Sequence, residues 1–247
     1  MYSTIYTELL KFKRSKMLLL LPISAAFASI LSIYAHLSMV SVINWDELFQ
    51  FSEFGYNFLV APMLFAMFTG FLFAREYQEN TINTIFCKPI NRVNFLLSKI
   101  IVMIFIISVT FFCTLAFSIL IGLQFKHEML TGHLILKHVY IFFLMVLMHS
   151  ALIPIAALVS MIGKNIIPAI VLGIIAVTGN FAIGNFKGAM VYPWTIPSII
   201  TAKVGGAKWL EGQIDYKVGI VSLVITFVLP LILSAFYFGR TDVYPKS

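Results

Sequence analysis

The residues best suited to do chemistry lie in one polar stretch, Arg75–Lys99, REYQENTINTIFCKPINRVNFLLSK. An apolar run ends at Ala74 and another begins near Phe95, so both ends of the stretch are tied to membrane helices. Within it, Ile82, Ile85 and Phe86 fall at i, i+3 and i+4, which places one apolar stripe on a short helix. Asn80 and Thr81 suit the start of that helix, Pro89 cannot continue it, and Asn91 can cap the next one. Arg75, Lys88, Arg92 and Lys99 supply four positive charges, which orients the stretch toward the cytoplasm. The chemistry this favours is recognition: a striped helix between two spans can press into a partner. A solvated loop lying on lipid headgroups is the plainer alternative.

Catalytic constellations are missing from the chain. Gly163-Lys164 lacks both the earlier glycine and the following hydroxyl of a GxxxxGK[ST] nucleotide loop, so ATP hydrolysis would have to come from another polypeptide. Neither HExxH nor GxSxG occurs, and there is no EExxxR pair for an intramembrane metalloprotease. The acidic residues are assigned to loops, span ends and the tail. A carrier driven by protons or sodium would need one inside a span. His149 stands near the middle of a span, where a polar group marks a pathway or a contact between helices. His127, His133 and His138 share a polar segment at spacings that match no standard metal site, which reads as a solvated loop. His36 is expected at the interface.

The elements that must position these residues are membrane helices. Of the 247 residues, 60% are hydrophobic and 11% charged, and the mean hydropathy is +0.97; soluble domains carry about 25% charged residues. No polar block is long enough for a separate soluble domain. Cys87 and Cys113 fall in the polar stretch and in a span, which gives no sign of a disulfide. Spans are expected at about 17–40, 56–74, 96–122, 139–162, 166–186 and 218–238. Asp46, Glu47 and Glu53 are assigned to the loop after the first span. Before that span, Tyr2, Ile5, Tyr6, Leu9 and Phe12 sit at near-helical spacing beside Lys11, Lys13, Arg14 and Lys16, an amphipathic interfacial helix. Residues 187–217 hold Trp194, Tyr192, two prolines and a Gly-Gly break, and suit a segment dipping into the outer interface. Eleven of the seventeen Lys and Arg then fall inside, and six (Lys126, Lys137, Lys187, Lys203, Lys208 and Lys217) fall outside. That bias places both termini in the cytoplasm, and it explains the net charge of +7 without nucleic acid.

Arg-Glu at 75–76, Thr81, Pro89, Arg92 and Lys99, at this spacing and between two spans, resemble the first cytoplasmic loop of ABC-2 type transporter permeases. The opening phrase ELLKFKRSK is similar to permease subunits of lantibiotic-immunity and bacitracin-resistance transporters. Asn80 departs from the family pattern, which commonly has glycine before the threonine; asparagine also tolerates the left-handed backbone. The resemblance implies an all-α integral membrane fold of one domain over 1–247. It would have six transmembrane helices, an N-terminal interfacial helix over 1–16, a cytoplasmic coupling helix within 75–94, and a re-entrant outer segment over 187–217. It also implies a P-loop ATPase partner that holds ATP and Mg, no cofactor in this chain, and a homodimer or a heterodimer with a second permease in a bacterial cell membrane. Glu76, Thr81, Ile82, Ile85, Phe86, Pro89 and Arg92 become the coupling residues, and His149 a candidate for the translocation pathway. The implied cargo is an amphipathic, membrane-active peptide. The alternatives are a hydrophobic drug or lipid as cargo, or a membrane anchor or sensor that recruits a partner without transport.

Overall fold

The computed structural model describes residues 2–13, 15–38, 42–79, 92–184, 188–207 and 214–240. Residues 80–91, with the expected coupling helix, and 208–213 of the outer segment lie outside this set. The described residues are almost wholly helical: α1 (Tyr2–Lys13), α2 (Leu20–Leu37), α3 (Trp45–Gly55), α4 (Ala61–Gln78), α5 (Arg92–Gly122), α6 (Gly132–Gly163), α7 (Ile167–Ile183), α8 (Ile196–Gly205) and α9 (Tyr216–Arg240). Five stretches are long and apolar enough to cross a membrane: Lys16–Leu37, Trp45–Gln78, Arg92–Gly122, Gly132–Gly163 and Tyr216–Gly239. The chain is therefore a multi-pass membrane protein. The fifth expected span is α7, apolar but of 17 residues. At 1.5 Å per residue that is roughly 25 Å, short of a hydrocarbon core of about 30 Å.

Two boundaries differ from the sequence reading. The loop assigned to Asp46, Glu47 and Glu53 is instead helix α3, which runs through a π-helical turn (Tyr56–Val60) into α4 as one stretch of 34 residues. Asn44 starts it by accepting from the backbone N–H groups of Asp46 and Glu47, and both acids stand in the first turn, where the helix dipole favours them. Glu53 is thus buried inside a helix rather than placed in a loop. Likewise α6 begins at Gly132, not near residue 139, so His133, Lys137 and His138 are helical.

Proline and glycine set the packing. Pro62 has no N–H to give the Phe58 carbonyl four residues earlier, and Asn180 of α7 supplies a donor at 2.8 Å. Gly173 lets α7 approach α4 closely: a Cβ there would stand 2.9 Å from the Cα of Met63. The chain reverses between α6 and α7 at Lys164, whose φ of 49° is left-handed. The Asn165 side chain then accepts from the N–H of Ile166 to begin α7. Below this pair, Trp45, Phe49, Tyr56, Phe68, Phe111 and Phe142 fill the core between α3, α4, α5 and α6. Replacing Gly173 with valine should lower stability by about 1–3 kcal/mol through overpacking. Thermal unfolding in detergent reads this against Gly55→Ala, which has open space around it.

Candidate functional site

The two helix ends that border the 80–91 segment, the end of α4 and the start of α5, meet α1 at a buried cluster of charges. The excess of Lys and Arg makes this the inner end of the bundle by expectation, and the opposite end the outer. Glu8 of α1 and Glu76 of α4 are each 1% exposed, and Lys99 of α5 is fully buried. The Lys99 ammonium donates to Glu8 Oε2 at 2.7 Å, to the Leu72 carbonyl at 2.7 Å and to Glu76 Oε1 at 3.1 Å. Its three protons are thereby all used, with the ring of Phe95 at 4.9 Å from the nitrogen. Lys11, one helical turn after Glu8, donates to Glu8 at 3.1 Å and to Glu76 at 2.9 Å. Burial alone would lower the Lys11 pKa, but the two carboxylates outweigh it and leave it above its ordinary value. Arg75 completes the group over the ring of Phe71, its Nη2 3.8 Å from Glu8 and 4.0 Å from Glu76.

This arrangement alters the reading of the N-terminal helix. Ile5, Leu9 and Phe12 do pack inward, but so does Glu8, and α1 lies against α5 with Tyr6 57% exposed. Of the predicted site residues, Glu76 and Arg92 flank the segment from opposite sides. Glu76 faces the charge cluster, whereas Arg92 Nη1 donates to the carbonyls of Phe238 and Gly239 at the end of α9, at 3.1 and 3.0 Å. Thr81, Ile82, Ile85, Phe86 and Pro89 lie outside the described residues. Sequence spacing carried a weak signal for the cluster: Glu8 and Lys11 stand three apart, but nothing local says that Lys99 would reach them.

His149 lies deep in the bundle, 2% exposed, between the rings of Phe65 and Phe111, each 5.4 Å away. Asn57 gives its Nδ2 to Thr201 at 3.1 Å. Its Oδ1 therefore accepts from His149 Nε2 at 2.9 Å, which links α6 through the π-helical turn to α8. The same histidine lines a cleft with Pro62, Phe65, Thr69, Leu172 and Trp194, so it makes a helix contact and also faces a cavity. His36, expected at the interface, is buried within the protein and accepts from the Asn44 N–H at 3.2 Å. His138, expected in a solvated loop, is wholly buried between Glu53 and Asp46. Asp46, Gln50 and Glu53 recur at i, i+4 and i+7, a polar stripe on α3 that is visible in the sequence once the segment is read as helix.

The charge cluster is a coupled unit. Lys99→Met should leave two buried carboxylates short of a partner and cost on the order of 3–5 kcal/mol. Adding Glu8→Gln should recover part of that loss in a double-mutant cycle of unfolding free energies. Strictly additive effects would contradict the coupling.

The chain has relatives that fit this architecture. It is 23% identical over 202 residues to the bacitracin transport permease protein BCRB of Bacillus licheniformis, a match covering 82% of this chain and 95% of that protein. Residues 4–180 match the profile of the ABC-2 family transporter proteins. That match takes in the charge cluster, both helix ends that border residues 80–91, and the buried histidine. The chain belongs to the ABC-2 family of transporter proteins, as the membrane component of an ABC transporter.

Proposed function

We propose that this chain is the permease subunit of an exporter that moves a membrane-active, amphipathic peptide out of the cell or out of the bilayer, for export or self-protection. In this reading six helices cross the membrane, with α7 as the fifth, both termini lie in the cytoplasm, and 187–217 forms the outer segment. Two permeases, identical or sister chains, pair with two P-loop ATPases that hold ATP and Mg. The 80–91 segment docks through Ile82, Ile85 and Phe86, with Thr81 and Pro89 setting its ends.

The observation that carries the reading is the buried Glu8–Glu76–Lys99 cluster at the foot of that segment. Three helices share one set of hydrogen bonds there, from α1, α4 and α5. A displacement of the segment would therefore shift them together rather than flex a loop. Above the cluster, α4 also forms one wall of the His149 cleft, whose Phe65, Leu172 and Trp194 suit a greasy cargo bearing a few polar groups. A peptide is preferred to a drug or lipid because the relative is a bacitracin transport permease.

Co-expression with the neighbouring ATPase tests the docking. Ile85→Asp with Phe86→Asp should abolish co-purification of the ATPase while the permease stays folded, and unchanged association would sink the docking role. In the intact complex a cyclic or lanthionine peptide should raise ATP turnover, and His149→Ala should blunt that response while leaving basal turnover in place.

A further inference from the structure

At the opposite, outer end of the bundle, His138 makes a second buried arrangement for which the transport reading has no use. Its Nδ1 lies 2.6 Å from Glu53 Oε1 and its Nε2 2.9 Å from Asp46 Oδ1. A carboxylate oxygen only accepts, and a neutral imidazole donates from one nitrogen alone. Two such contacts therefore hold one proton more than a neutral ring and two carboxylates would. The extra proton stands on the ring or on one carboxyl; the count is the same either way. His138 and Glu53 are sealed off, their side chains 0% and 2% exposed, but that of Asp46 is 33% exposed and opens a route to water.

The arrangement is wired to the outer helix. Asp46 Oδ1 also accepts from Lys137 at 2.6 Å, and its Oδ2 from Gln50 at 3.1 Å. Lys137 Nζ and Gln50 Nε2 both donate to the carbonyl of Gly205, the last residue of α8, each at 2.9 Å. Among the described residues, the charged groups in contact with His138 are Asp46 and Glu53 from α3, with Lys137 beside it on α6. From α8 only the Gly205 carbonyl enters the cluster, since Lys203 is exposed. From α5 the nearest polar contribution to α3 is the Ser118 hydroxyl on Ser52, and α7 carries no charged residue. On α9, Lys217 is exposed.

We propose that Asp46, Glu53 and His138 form a proton-binding site whose occupancy fastens the C-terminal end of α8 to the bundle. Release of the proton leaves one nitrogen–oxygen pair with two lone pairs and no hydrogen between them, and the pair with Glu53 is closed to water. It also leaves two carboxylates facing one cation, Lys137, whose side chain is 29% exposed and bonded to Asp46 and to Gly205. That ammonium is drawn between the carboxylates and gives up Gly205, so the last turn of α8 loosens. The Asn57–Thr201 bond holds the earlier turn in place. The sign follows from the proton count: fastened at low pH, loosened at high pH.

The test is a nitroxide at Lys203→Cys, on the exposed face of that last turn, in full-length chain carrying Cys87→Ser and Cys113→Ser. Label mobility is compared at about pH 5 and about pH 8. The mobile fraction should rise several-fold and reversibly with pH. Glu53→Gln should hold the label immobile at both values, because its amide donates to a neutral ring and no extra proton is needed. His138→Gln should leave it mobile at both. A flat response in the parent chain, or a pH step that survives in Glu53→Gln, overturns the proposal. Should His138→Gln not fold, Glu53→Gln alone decides. Neither ATPase nor cargo takes part, so the result stands apart from the transport reading.

Discussion

Lys99 cannot reach water, and the inner half of the bundle is built around that fact. An ammonium in a medium of low dielectric constant is tolerable only where carboxylates and carbonyls replace its hydration. Here the replacements are Glu8, Glu76 and the Leu72 carbonyl. Because these come from α1 and α4 while the lysine belongs to α5, meeting the need of one side chain fixes three helices. The amphipathic N-terminal helix is thereby tied to the folded body through Glu8.

The same constraint recurs at each level of the bundle with different groups. In the middle, Asn57 joins His149 to Thr201. Beside it, Asn180 satisfies the carbonyl that Pro62 leaves open. Near the outer end Ser29, Ser52 and Ser118 share hydroxyl contacts at 3.0 and 3.1 Å, and above them His138 bridges two carboxylates. Each is a polar link between segments distant in the chain, set among side chains that only exclude water. Apolar packing holds helices together without fixing their rotation, and these links supply the register.

The inner and outer clusters differ in what they leave adjustable. In the inner one the ammonium of Lys99 is fully coordinated and sealed, which suits a joint that moves as a unit. The outer one contains a proton that can leave through Asp46, and it ends on a single carbonyl at the tip of a short helix. One family of interactions thus gives a sealed joint at one end and, in the proposal above, a releasable fastening at the other.

Composition and periodicity by themselves determined that the chain lives in a membrane and is all helix. They also fixed where most of its long apolar helices run, because twenty or so apolar residues have no other stable place. The Arg75–Lys99 stretch stood out for the same reason, as polar residues between spans, and its pattern carried the family. What sequence could not settle is which polar residues are buried, since that depends on partners far away in the chain. Glu8 and Lys11 look like an exposed pair until Lys99, 91 residues from Glu8, reaches them. Asp46 and Glu53 look like a loop until Asn44 caps a helix and His138 closes on it. Only the tertiary structure decided these, because the energy of a buried charge is set by what stands within 3 Å or so of it and not by its neighbours in sequence.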